Sequence, residues 1–261
     1  MSLLHDKRLK SVQWKDLTRL SFKETFIENT LNIPWLLFSL LFAWKHWYIA
    51  SLPCSFIFFL TGLRQVHNGF HYTLGTSKPL TELTIIINSI LMMTAMHAVK
   101  YNHILHHKYC LQEGDVEGRC AKMTALQALL YGPVYIYRQH SHALHCGSKT
   151  TRTYIIAELL LAVAFGITVF TLHIGFLQYH IITMGTGECF TAFFAVWTVH
   201  HGCDEEVFAR TLSNRWKNKF TYNMFYHLEH HLFPKVPTTK LPELSKRLKD
   251  GMPGLVAKEV F

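Results

Sequence analysis

Residues 81–99 read TELTIIINSILMMTAMHAV. The run is apolar enough to cross a bilayer once, since a span needs about 20 such residues. Whether it crosses decides the fold. His67 and His71 lie just upstream of it, and His103, His106 and His107 lie just downstream. A straight crossing would leave these two groups on opposite faces of the membrane. Their spacing says that they belong to one site, so 81–99 is expected to lie along the interface, to be buried by protein, or to form a re-entrant helix.

Outward from this stretch, apolar residues make up 49% of the 261-residue chain, and mean hydropathy is +0.13. The apolar residues are clumped, as in PWLLFSLLFAW at 34–44. Two hydrophobic hairpins are predicted, at 31–65 with a turn near 45–48 and at 153–199 with a turn near 173–175. The fold class that follows is an all-α integral membrane protein. It has about four transmembrane helices in two hairpins and a cytosolic helical cap, all in one domain over residues 1–261. Residues 1–30, 66–152 and 200–261 are the polar parts. They carry 6, 8 and 10 Lys and Arg, with Lys45 and Arg64 beside or inside the first hairpin. That bias places both termini and the histidines on the cytoplasmic side. The net charge of +9 is explained in the same way, and no basic run with interleaved aromatics points to nucleic acid. MSLLHDKRLKSVQWKDL lacks the apolar core of a removable signal peptide. The six cysteines form no CxxC pair and read as reduced thiols.

The chemistry lies in the 18 histidines. HNGFH supplies His67 and His71, HILHH supplies His103, His106 and His107, and HLEHH supplies His227, His230 and His231. Spacings of three and four put side chains on one helical face, so each motif is expected to aim its imidazoles in one direction. Eight rings pointing inward would repel if charged and would be costly to bury unpaired. A metal bound by the neutral rings removes both problems. They are too many for one zinc. With no cysteine read among them, two irons fit the set, and such a centre can activate O2.

TVHHG offers a further ligand. His200 and His201 point about 100° apart on a helix, so one of them is expected to join the set, with His200 favoured. Asp115, Glu117, Asn223 and Glu229 are candidates for orienting the ligand rings through their outer nitrogens. Glu158 and Glu188 are expected to face the bundle interior. His140, His142 and His145 read as loop or interfacial residues, while His97, His173 and His180 read as isolated.

The three motifs in this order, with a hairpin between the second and third, resemble the membrane fatty acid desaturase superfamily from about residue 30 to 245. YNMFYHLEHHLFPKVP is especially similar to the end of acyl-lipid desaturases. The resemblance implies a four-span bundle with a cytosolic cap. It implies two non-haem irons held by the eight motif histidines and one histidine of TVHH, with O2 as co-substrate. O2, reduced to water with the help of two external electrons, would remove two hydrogens and leave a double bond in a lipid-linked or thioester acyl chain lying in a tunnel under the irons. No HPGG-type haem motif is present, so electrons are expected from a separate ferredoxin or cytochrome b5 type carrier, drawn to a basic face. The third motif opens with His rather than the Gln of front-end desaturases. Hydroxylases and carotenoid ketolases share the motifs and form the alternative. A membrane zinc hydrolase needs fewer histidines, and a metal transporter would place its ligands at mid-membrane.

Overall fold

The computed structural model describes Leu3, residues 6–255 and residues 257–260. His5, to which the sequence attaches no role, lies outside them. The described residues are overwhelmingly helical. A single two-residue parallel pairing joins β1 (Arg210–Thr211) to β2 (Lys258–Glu259).

Helices α1 (Phe22–Thr30) and α2 (Ile33–Trp44) together reach span length as Phe22–Trp44, and α3 (Tyr48–Phe70) follows after a tight turn in which His46 has φ 61°. The helical run therefore starts upstream of the expected 31, and the physical reason is an internal ion pair. Glu28 and Arg64 are buried, at 0% and 3% exposure. They pair through two contacts of 2.6 and 2.7 Å, so the polarity that seemed to end the segment is neutralised inside it. Ser21 starts α1 with a reciprocal capping box to Glu24, which satisfies two otherwise orphaned N–H groups. Ser39 Oγ and Ser55 Oγ, 2.7 Å apart, lock α2 to α3.

The stretch 81–99 does not run straight. It splits into α4 (Lys78–Met92) and α5 (Met96–Tyr109), bent by 115°. Met93 adopts a left-handed φ of 59° at the break. A helix start leaves N–H groups without partners, and here side chains accept them. Ala95 N–H donates to His140 Nε2 at 3.1 Å, Met96 N–H to Ser89 Oγ at 3.1 Å and His97 N–H to Glu158 Oε2 at 3.0 Å. Irregular backbone at membrane depth is tolerated where protein satisfies it in this way. The bend brings His103 Nε2 to within 3.0 Å of His71 Nε2. Gly69 helps to seat α4, since a Cβ there would lie 3.2 Å from Ile85.

Helices α6 (Ala125–Leu130) and α7 (Gly132–Cys146) precede α8 (Lys149–Thr171), which is long and apolar enough to cross a membrane. Next comes α9 (Gly175–Glu188), bent by 43° from a π-helical turn, Ala192–Trp197, that runs into α10 (Thr198–His200). Leu160 and Ile167 of α8 remain 65% and 63% exposed, an apolar face that water would not tolerate at this extent. The chain is a membrane protein on these helices. Three of its helices have span length, and the two bent pairs could add to them.

His140, His142 and His145 lie on α7 rather than in a loop. His97 is not isolated, because its ring bridges Glu158 at 2.6 Å and Glu82 at 2.7 Å. Glu158 and Glu188 are both buried. The chain closes with α11 (Arg215–Phe220), α12 (His227–Leu232) and α13 (Leu241–Gly251). Asn68 donates to Glu28 Oε2 at 2.8 Å and accepts from Thr238 Oγ1 at 2.7 Å, which ties the HNGFH helix to the segment after HLEHH.

Breaking one side of a buried ion pair leaves a bare charge and costs about 3–5 kcal/mol. Arg64→Ala is expected to destabilise the detergent-purified protein by that order, read as a large drop in thermal midpoint. Glu28→Leu combined with Arg64→Met should recover most of the loss. An Arg64→Ala variant as stable as the parent would rule out the pair as a structural tie.

Candidate metal centre

Nine imidazoles from four helical segments meet in one buried cluster, and they divide into two groups. His67, His71, His103, His107 and His230 form the first, with ligand atoms all within 4.8 Å of one another. His106, His200 and His231 form the second together with Cys110, within the same limit. His227 joins the second group through Nε2–Nε2 distances of 2.8 Å to His200 and 3.1 Å to His231.

The expectation that each motif aims in one direction is therefore corrected. The i,i+4 pairs, His67/His71, His103/His107 and His227/His231, each stay within one group. The third ring of HILHH, His106, and that of HLEHH, His230, go to the opposite group. Adjacent helical residues diverge by about 100°, so the HH doublets straddle the boundary and let one helix serve two centres.

Hydrogen bonding sets the tautomers. Carboxylates and carbonyls only accept. His103 Nδ1 therefore donates to Glu117 Oε1 at 2.9 Å, His106 Nδ1 to Asp115 Oδ2 at 2.7 Å and His200 Nδ1 to the Phe208 carbonyl at 2.7 Å. In each neutral ring this leaves Nε2 with a lone pair. Yet His106 Nε2 and His200 Nε2 face each other at 3.1 Å with no proton for the gap. Around the first group, His103 Nε2 stands 3.0 Å from His71 Nε2 and 3.1 Å from His107 Nε2, and His107 Nε2 stands 3.0 Å from His230 Nε2. His67 Nε2 is buried with no hydrogen-bond partner, although its ring centroid is 4.1 Å from that of His230.

These observations fit metal ions. Two nitrogens about 2.1 Å from a common ion and at right angles stand roughly 3 Å apart, which matches the spacings here. Burial, reinforced by neighbouring rings, pushes His227, His230 and His231 well below the ordinary imidazole value, so these rings are neutral donors at pH 7. Burial alone would push the Asp115 carboxyl up. Its hydrogen bonds from His106 and from the Gly118 and Leu111 N–H groups outweigh this and hold it below the usual carboxylate value. Asp115 is thus a fixed anion behind His106.

Of the adjacent pair in TVHHG, His200 is in the cluster and His201 is not. His201 stacks on Trp197 at 4.0 Å and its Nδ1 meets the Trp197 carbonyl. Glu229 sits inside HLEHH but on the face away from the rings, accepting from Thr211 and Ser245 at 2.6 Å each. Burial raises its carboxyl value against those hydrogen bonds. Asn223 occupies a left-handed position, φ 64°, in the turn before α12, where its N–H donates to the Asn218 carbonyl; its side chain makes no hydrogen bond to a site ring among the described residues. The reading that no cysteine sits among the histidines is also corrected. Cys110 Sγ lies 3.9 Å from His106 Nε2, and its position four residues after His106 was the available signal.

A cavity opens beside the cluster. His67, His103, His227 and His230 line it together with Leu63, Val66, Phe194, Ala195 and Met224. It is an apolar slot with imidazoles on one wall, suited to hold a hydrocarbon segment.

Removing a partner that orients a ligand ring costs 10–100-fold in metal affinity. Asp115→Ala is expected to weaken metal retention by that factor in a competitive chelator titration, and His201→Ala should leave it unchanged. Equal retention in parent and Asp115→Ala protein would dismiss Asp115 from the centre.

A family model described as fatty acid desaturase matches residues 42–259. A search of curated proteins finds no match.

Proposed function

Because the chain belongs to the fatty acid desaturase family, we propose that it is an O2-dependent, two-iron membrane oxidoreductase that introduces a double bond into a fatty acyl chain. The observation that carries this reading is the pairing of two convergent imidazole sets with an apolar slot lined by four of the same rings. His67, His71, His103, His107 and His230 would hold one iron, and His106, His200, His227 and His231 the other. Two irons so held would supply oxygen activation, the chemistry that attack on an unactivated C–H bond requires.

The chain's own residues do the rest. Glu117 and Asp115 keep protons on His103 Nδ1 and His106 Nδ1, which holds the Nε2 lone pairs inward. Leu63, Val66, Phe194, Ala195 and Met224 give the slot apolar walls against which a hydrocarbon segment would pack. They hold it beside His67, His227 and His230 and keep water from the reacting carbons. Position is decisive in this chemistry, because misplacement by about 1 Å can cost on the order of 100-fold in rate.

The bias of Lys and Arg to the polar segments supports a cytoplasmic location for the cluster and both termini. The same basic side favours an acidic external electron carrier of ferredoxin or cytochrome b5 type.

The test combines metal content with lipid analysis. Gently purified parent protein is expected to hold near two irons per chain, and cells expressing it to gain a new double bond in their acyl lipids. His230→Ala and His231→Ala strike one group each, so both should abolish the product and lower iron content. A new hydroxyl in place of a double bond would move the reaction to oxygen insertion. One zinc with no iron and no new lipid would overturn the proposal.

A further inference from the structure

We propose that Cys110 is a thiolate ligand of the second metal, which makes the two ions chemically unequal. The inference rests on the two-ion reading above and concerns a residue that reading does not use.

Cys110 follows α5 directly, four residues after His106, so its side chain continues the row of His106 on the same face. Its backbone, at φ −36° and ψ 118°, has already left the helix, and Leu111 turns left-handed at φ 63°. Asp115 holds that turn. Its Oδ2 accepts from both His106 Nδ1, at 2.7 Å, and the Leu111 N–H, at 2.8 Å. One carboxylate thus orients the His106 ring and fixes the turn that presents Cys110 to it. The thiol is buried. Its Sγ is 3.9 Å from His106 Nε2 and 3.8 Å from the Phe208 carbonyl, the same carbonyl that accepts from His200 Nδ1 at 2.7 Å. Together with the Nε2 atoms of His106, His200 and His231, Sγ belongs to a set of donors no more than 4.8 Å apart. Donors about 2.1–2.3 Å from one ion, on opposite sides of it, span nearly that distance.

Charge points the same way. Two divalent ions would bring four positive charges into a buried pocket whose histidines can bind them only as neutral rings. Asp115 and Glu117 answer two of them through His106 and His103. A thiolate on the second ion supplies a third negative charge in direct contact. On binding, the Cys110 S–H bond breaks, its proton leaves to solvent, and the sulfur lone pair forms the metal bond, with no change in oxidation state. The second ion would then have a donor that the first lacks, anionic and soft.

The experiment uses the full-length protein in detergent, loaded with zinc and examined by X-ray absorption at the zinc edge, alongside cobalt(II)-loaded protein examined by near-ultraviolet absorption. The expected result is a sulfur scatterer at about 2.3 Å, close to one sulfur per two metals, together with a thiolate-to-cobalt charge-transfer band. Both signals should vanish in Cys110→Ser and Cys110→Ala while the metal count stays near that of the parent. Both should persist in Cys203→Ser, which alters a neighbouring partly buried thiol. Two bound metals with only nitrogen and oxygen neighbours in the parent protein would overturn the Cys110 assignment and leave the histidine centre standing. So would a sulfur signal that survives in Cys110→Ser. A parent protein that binds no metal at all would overturn the centre itself and this ligand with it. The parent spectrum decides even if the Cys110 variants fail to fold.

Discussion

The facing nitrogens of His106 and His200 are the constraint on which the rest depends. Each ring has committed its Nδ1 proton, to Asp115 and to the Phe208 carbonyl. The Nε2 lone pairs that remain stand 3.1 Å apart in a buried site. Lone pairs at that distance repel, and protonating either ring would set a cation among eight other imidazoles. A shared metal ion turns the same geometry into bonding. The carboxylates, the bent helices and the buried polar ties can all be understood as means of holding imidazoles in positions they would not occupy alone.

Holding them requires polar groups at depths where water cannot help. The chain meets that requirement by pairing them. Glu28 and Arg64 form a bidentate pair, and Asn68 links that pair to Thr238 beyond the third histidine motif. Arg64 and Asn68 flank His67 on α3, so the tie anchors the first motif and the third to a common point. A second tie runs from Glu158 to the start of α5, which carries the second motif. Buried ion pairs of this kind are weak sources of net stability. Their value here is geometric, because each fixes the register of a helix whose outward faces meet only apolar surroundings.

The placement of the slot follows from the same arrangement. Its imidazole wall belongs to the histidine cluster, and its other walls come from α3, the π-helical turn and the residues before α12. The π-helical turn, Ala192–Trp197, leads straight into the helix that delivers His200. One segment therefore shapes the slot and supplies a cluster residue, so the wall of the slot and the position of His200 are set together.

The sequence by itself determined a great deal. Spacings of three and four in HNGFH, HILHH and HLEHH announce shared helical faces, because 3.6 residues per turn is a property of the backbone alone. Long apolar runs announce membrane helices for an equally local reason, and the histidines on either side of 81–99 argued against a straight crossing. What only the tertiary structure decided are the properties that depend on which faces meet. These include the 115° bend between α4 and α5 and the division of each HH doublet between two groups. They also include the choice of His200 over His201, which Trp197 takes for stacking, the turning of Glu229 toward Thr211 and Ser245, and the approach of Cys110 to His106. A spacing rule gives the direction of a side chain relative to its own helix. It carries no information about what stands opposite, and metal ligation, ion pairing and burial are all relations between elements far apart in the chain.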